Sequence, residues 1–579
     1  MQEENKHEDN ELVDLSAHSI DVINRKSVCV RLLTKHMDVI GGKQVTEKKL
    51  TLLNLLFLGI SCAVGCGAYS VIGYAAQKSG PSIVISFIIT GGICFFTCFP
   101  YAEFAAKIPS AGFGYSYAYA TCGEFIAFLV AHNIHLNLIA TAALAARTWS
   151  TYVPDFLQYY GLKLPTFLYS YDVGDVNICI LGVIIVSLLC LLMLRGMQES
   201  TIVNNIVSLI NISTLAFCLI TGYFYVTSKR YENFFTNGYQ GVFSGMGLSL
   251  FAYLGFEGLA CFTEESVNPQ RDIPLSLAVI LLLAIIVNAG IALVMTGLAP
   301  LEILGCDDSL ITAFGFNPNS SWTVPFIYIG AIAGLTSSIS ANLLGQPKIF
   351  YTMACHGLLP SIFAKRNSKT GVYKNSVIFT WIIAVFITLL FKVEIIGNAV
   401  SLCGTIVSAV VDISVVIARY ETPQRHPKGG NGYCLFFSSA SIACIVFFVA
   451  SLMTGFSFYY DWSMIFKMVW IGLMIMPCVY LQVLPQTTLP ATFQCPLVPT
   501  IPFLGASSML FIASTIDAEA WKMYIVYMAF GVVFYFLYSF NHSACYTGVH
   551  VNTDEDSVET NPTTVELINV EHDHDHLSK

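Results

Sequence analysis

The stretch Gly59-Ile60-Ser61-Cys62-Ala63-Val64-Gly65-Cys66-Gly67-Ala68-Tyr69 decides the fold. It interrupts an apolar run near 51–77 that is otherwise long enough to cross a bilayer as one helix. A second stretch, Phe251-Ala252-Tyr253-Leu254-Gly255-Phe256-Glu257-Gly258, interrupts a run near 242–262 in the same way. An unwound helix frees N–H groups on one side and C=O groups on the other, and in hydrocarbon both must be satisfied. A zwitterion suits such a gap. Its carboxylate meets N–H groups at a positive dipole end, and its ammonium meets freed carbonyls. Small residues at intervals also let helices pack closely. Two breaks in matching places favour the binding reading over the packing one.

Working outward, apolar stretches recur near 51–77, 81–104, 120–146, 176–194, 202–226, 242–262, 275–298, 324–346, 375–391, 395–418, 434–454, 462–484, 497–513 and 521–540. These fourteen runs are each about long enough to span a ~30 Å hydrocarbon core as a helix. The two broken spans are the first and the sixth, an odd offset, so they run in opposite directions. That is the mark of an inverted repeat, with 51–226 mirrored by 242–418. Residues 419–540 then hold four additional spans, between a tail over 1–50 and an acidic, disordered tail over 541–579. The predicted fold class is an all-α polytopic membrane protein of fourteen helices with a five-plus-five inverted-repeat core.

Of the 579 residues, 55% are apolar and 11% charged, with a mean hydropathy of +0.66. The net charge of −9 belongs almost wholly to the tails, which sum to −8. So charge-poor a body excludes a soluble enzyme, a disordered chain and a basic nucleic-acid binder. Nineteen of the 28 Lys and Arg fall in the N-terminal tail and the joints on its side, which the positive-inside rule places in the cytoplasm with both tails. The N-terminal residues are polar and acidic, unlike a signal peptide. The sequon Asn319-Ser320-Ser321 falls on the outer face, where glycosylation is expected. Most of the 18 Cys sit singly in apolar runs and read as small packing residues. No metal site or cofactor is expected.

Several polar residues lie inside spans, where they are costly. Glu257, in the second break, either attracts a cationic side chain or caps freed N–H groups. Glu103 ends the second span and either braces a cytoplasmic gate or stands as an interfacial acid. Asp412 and Arg419 lie two helical turns apart on one face, the spacing of a bridged pair. His132 and His135 share a face of the third span. A polar stripe toward other helices accounts for them better than metal does. The His572–His576 tract reads as part of the disordered tail.

At these residues the chain resembles the cationic amino acid transporters of the amino acid–polyamine–organocation superfamily, over about residues 30–545. The likeness rests on the Gly65–Tyr69 break, Gly80–Phe87, the Glu103 segment and Gly112–Tyr117. It extends through Glu199–Asn204, Glu264–Gln270 with Ile273-Pro274, Gly345–Tyr351, Gly357–Pro360 and Cys495–Pro499. The chain departs from the family pattern at Glu257, where an Asp is usual, at Ala131–Asn137, and at His356.

The resemblance implies sodium-independent movement of arginine, lysine and ornithine across the plasma membrane, both termini being cytoplasmic. By position, N–H groups near Gly65, Cys66 and Gly67 meet the substrate carboxylate. The carbonyls of Phe251, Ala252 and Leu254 meet its ammonium, and Asn342 lines the side-chain pocket beside Glu257. Glu103, Asn137 and Asn211 are gating or coupling positions. Proton-coupled relatives place a lysine at the position of Asn211, and the uncharged amide fits a facilitator. Twelve-span relatives bind a heavy chain through a Cys between spans 3 and 4. The joint from Arg147 to Val176 has none, so no disulfide-linked heavy chain is expected. The expected partners are a small amino acid and the bilayer, with no nucleic acid, in a monomer or weak homo-oligomer. Neutral amino acids or polyamines as cargo, and a transport-inactive nutrient sensor, are the competing readings. An enzyme built on His132 and His135 lacks a nucleophile–base pair.

Overall fold

The computed structural model describes residues 50–543, apart from 109, 111, 170, 174–175, 196–200, 368–370, 421–438 and 487–492. Both tails beyond those limits, the His572–His576 tract, and Glu199 and Ser200 lie outside the described residues.

The first apolar run folds as three pieces, α1 (Leu52–Ala63), α2 (Cys66–Ser70) and α3 (Ile72–Ser79). Then come α4 (Ile83–Lys107), α5 (Phe113–Thr121) and α6 (Glu124–Tyr159). A small antiparallel hairpin, β1 (Tyr171–Val173) and β2 (Val176–Ile178), leads into α7 (Ile180–Leu194) and α8 (Thr201–Tyr225). The sixth run is α9 (Gly238–Phe251), a break, and a tighter helical stretch over Glu257–Glu265. The chain continues through α10 (Pro269–Leu298), α11 (Ser309–Phe316), α12 (Val324–Cys355), α13 (Lys374–Leu390) and α14 (Val393–Tyr420). It ends with α15 (Ser439–Tyr459), α16 (Met464–Val483), α17 (Thr500–Ser514) and α18 (Ala518–Phe534).

The architecture is all-helical and polytopic, the hairpin aside. Among the described residues, ten helical segments are long and apolar enough to cross a membrane, while α7, α13 and α17 are apolar but shorter. Helices close their own backbone hydrogen bonds, which is why apolar runs of this length adopt them in lipid. The structure differs from the sequence reading in two respects. Helix α6 runs past residue 146 to Tyr159, with Arg147 buried and donating to the Thr388 carbonyl at 2.8 Å. The short helices α5 and α11 occupy stretches read as joints between spans.

Of the long apolar segments described, α14 is the most enclosed and α16 the least. Around α14 pack α6, α4 and α17, while α10 lies along α4 and α12 along α6. The interior is rich in fully buried aromatics, among them Tyr69, Tyr101, Tyr117, Tyr253 and Phe256. These surround the two breaks.

Candidate substrate cavity at the helix breaks

Helix α1 makes its last bond from the Val64 N–H to the Ile60 carbonyl at 2.8 Å. The carbonyl of Val64 then has no next turn to bind. Asn211 of α8 fills that gap, donating from Nδ2 to the Val64 oxygen at 3.1 Å. Its Oδ1 accepts from the Tyr69 hydroxyl at 2.8 Å, on the far side of the break. Tyr152 donates to the Tyr69 carbonyl at 3.0 Å. Gly65 lies against α12, its position closed by Ser338 and the Gly334 carbonyl. Cys66 is buried, with its sulfur 3.4 Å from the Ser70 hydroxyl.

The second break begins after Phe251. Ala252 and Tyr253 turn back on Ser249 and Leu250, with backbone bonds of 3.1 and 2.9 Å. Gly255 has φ +110°, a conformation that residues with a Cβ rarely adopt. Its N–H donates to Glu257 Oε2 at 2.9 Å. Glu257 therefore caps a freed N–H group of the break. Asn288 of α10 donates from Nδ2 to the Ala252 carbonyl at 3.0 Å. Leu254 and Phe251 are buried beside it.

The two breaks touch. A Cβ on Gly67 would overlap Ala252 Cα, and one on Gly255 would lie 2.5 Å from the Cys62 carbonyl oxygen. Glycine is required at both places because backbone meets backbone.

Beside this contact is a small cavity. Cys62 and the segment from Gly255 through Glu257 to Phe262 form one wall. Asn137 and Leu138 of α6, with Asn342 and Gly345 of α12, form the other. Phe113, Ile134, Ala341 and Val407 also line it. Among these lining residues Glu257 is the one charged side chain. The amide of Asn342 donates to the Ser338 carbonyl at 2.9 Å. Of the sequence-derived site residues, Glu257, Asn342 and Asn137 line the cavity. Gly65, Cys66, Gly67, Phe251, Ala252, Leu254 and Asn211 belong to the breaks next to it.

Sequence reasoning missed Phe113, Cys261, Phe262, Gly345 and Val407. The spacing of Ala341 and Gly345, one turn apart on α12, was an available sign of an open helix face. Phe262 also packs under the Lys348 ammonium, 4.1 Å above its ring, and Lys348 pairs with Glu265 at 2.6 Å.

Glu103 lies away from the cavity, at the end of α4, and is almost fully buried. Arg419 grips it with two bonds, Nε to Oε1 at 3.0 Å and Nη2 to Oε2 at 2.8 Å. Lys107 and the Cys495 N–H, the latter at 2.7 Å, also donate to it. Among the described residues, Arg419 pairs directly with Glu103 and not with Asp412. Asp412 accepts instead from Thr97 at 3.0 Å, because Arg419 is taken by Glu103. Near the opposite end of α14, Lys78 pairs with Glu394 and with Asp517, each at 3.0 Å. Beyond α10, burial pushes the Asp307 carboxyl above its usual range, while the Tyr74 hydroxyl, donating at 2.7 Å, pulls it back.

The two histidines of α6 go to separate partners. His132 stacks on Tyr527 with Nε2 3.0 Å from that residue's carbonyl. His135 lies between Gln346, 2.6 Å from Nδ1, and Met353. Asn319 is exposed on the joint between α11 and α12. The 15 described cysteines are free thiols.

An all-helical permease body with a cavity at two touching helix breaks is the class these observations define. A sequence profile described as "Amino acid permease" matches residues 50–481, and one described as "C-terminus of AA_permease" matches 493–543. The vacuolar cationic amino acid transporter 4 of Arabidopsis thaliana is 30% identical over 425 residues, 72% of this chain and 70% of its own length. The methylthioribose transporter of Bacillus subtilis (strain 168) is 27% identical over 499 residues, 86% of this chain and 94% of its own. The branched-chain amino acid permease BcaP of the same bacterium is 26% identical over 510 residues, 87% and 95% of the two chains. The chain belongs to the cationic amino acid transporter subfamily of the amino acid–polyamine–organocation superfamily.

Proposed function

We propose that this chain carries cationic L-amino acids, with arginine, lysine and ornithine as cargo, across the plasma membrane. It does so without sodium, by facilitated diffusion or exchange. The observation that carries the reading is Glu257, the one charged side chain among the residues lining the cavity. A carboxylate held at mid-membrane suits a cargo that brings a positive charge. Subfamily membership supports the same cargo.

The mechanism is alternating access. The two breaks hold the backbone of the amino acid, and the halves 51–226 and 242–418, an inverted repeat within a fourteen-span chain, rock around it. Asn319 faces outward as a glycosylation acceptor, and both tails are cytoplasmic. The membrane potential supplies the driving force, ~2.3 kcal/mol per charge per 100 mV. Glu103 with Arg419 ties the cytoplasmic ends of α4 and α14. Asn211 has no group that titrates, in keeping with uncoupled transport.

A neutral cargo is the second reading. Glu257 already accepts the Gly255 N–H, and Phe113, Leu138, Phe262 and Val407 make much of the lining apolar. Uptake of radiolabelled arginine, lysine and leucine in a null host tests both, with sodium, pH and voltage varied. Saturable, voltage-sensitive, sodium-independent arginine uptake supports the lead. Leucine uptake without arginine supports the neutral carrier. Intact surface expression with flux of none of them favours the transport-inactive sensor.

A further inference from the structure

The polar residue Asn288 stands in an apolar helix, between Val287 and Ala289 of α10, and is fully buried. Its Nδ2 donates to the Ala252 carbonyl, and its Oδ1 is buried with no hydrogen-bond partner among the described residues. Burying an amide is unfavourable unless it is bonded, and burying one half-bonded more so. Packing does not explain this amide, since a leucine fills similar space without a stranded oxygen. What Asn288 supplies at this depth is one N–H, aimed at one carbonyl.

That carbonyl has a counterpart. Val64 is the residue that ends α1, and Ala252 is the residue that ends α9. Each helix end leaves carbonyls without the next turn's N–H. In the first break an asparagine amide from α8 meets the Val64 carbonyl, and in the second an asparagine amide from α10 meets the Ala252 carbonyl. The same chemistry closes the same position in both breaks. Ala252 is also the residue that Gly67 presses against, so a shift of Ala252 moves both breaks at once.

We propose that Asn288 is a positioning residue of the cargo site, acting through Ala252, as the counterpart of Asn211 in the first break. This rests on the reading of the breaks as the cargo site. The carbonyl direction at Ala252 is set by Asn288, so losing the donor loosens the break and weakens cargo binding before it slows turnover.

The test uses the full chain, purified and reconstituted in phosphatidylcholine vesicles, with Asn288→Leu and Asn288→Asp variants. Counterflow of labelled arginine and of labelled leucine gives KM and maximal rate for whichever the wild type carries. Hydrogen–deuterium exchange over residues 250–258 reports the break without any cargo. For Asn288→Leu, KM rises about tenfold with a smaller change in maximal rate, the size expected for one buried hydrogen bond. Exchange over 250–258 becomes faster in the same variant. Asn288→Asp donates only when protonated, so at acid pH it keeps the wild-type KM. Wild-type KM and wild-type exchange in Asn288→Leu overturn the proposal. If Asn288→Leu does not fold, wild-type exchange in Asn288→Asp from acid to alkaline pH, with KM unchanged throughout, overturns it instead. A wild type that moves neither cargo defeats the transport reading, and exchange alone then decides this one.

Discussion

Asn211 donates to the Val64 carbonyl at 3.1 Å and thereby closes the end of α1 from a different helix. The bond replaces the missing next turn, and the same side chain reaches Tyr69 across the gap. Asn211→Leu strands the Val64 carbonyl in the interior, at about 1–3 kcal/mol. Uptake at unchanged surface level is expected to fall about tenfold or more. Undiminished uptake in this variant means the amide is not what holds the break.

Glu257→Gln separates charge from capping. A glutamine carbonyl still accepts the Gly255 N–H, so the break keeps its cap while the cavity loses its one charge. Arginine uptake is expected to fall at least about tenfold, with leucine uptake unchanged or raised. Equal arginine uptake by the two forms argues for the neutral-cargo reading.

Gly67→Ala adds one carbon where Ala252 Cα already sits. Backbone cannot yield as a flexible side chain does, so overpacking on the order of 1–3 kcal/mol is expected. The variant should reach the membrane in reduced amount and show no flux. Flux at the wild-type rate would contradict the contact between the two breaks.

Glu103→Gln leaves Arg419 buried without its carboxylate. Breaking one side of a buried pair is destabilising by roughly 3–5 kcal/mol. A lower melting temperature of the purified protein is expected, with partial recovery in the double variant Glu103→Gln, Arg419→Met. Equal melting temperatures of wild type and single variant would show that the cluster carries no stability.

The sequence made the breaks legible because glycine clusters are rare inside apolar runs, and the structure has its interruptions at Gly65 and Gly255. Asn137 and Glu257 were legible as polar residues within spans, and Asn342 only through the family resemblance. The partner of Arg419 was not. Helical spacing pointed to Asp412, seven residues back, while the real partner lies 316 residues away on α4. Periodicity along one helix carries no information about which helix comes to lie beside it. Asn288 was readable in principle, as a lone amide in an apolar helix. Its role was not, because it depends on the Ala252 carbonyl 36 residues earlier.

The contact of Gly67 with Ala252 and of Gly255 with Cys62 brings two main chains together without side chains between them. Such a junction behaves as a bare bearing. It permits small sliding, because no rotamers interlock across it, but it offers no side-chain variety for selecting a cargo. Selectivity is therefore left to the walls, Glu257 on one side and α6 with α12 on the other. Changes there can retune what is carried while the contact between the two breaks stays as it is.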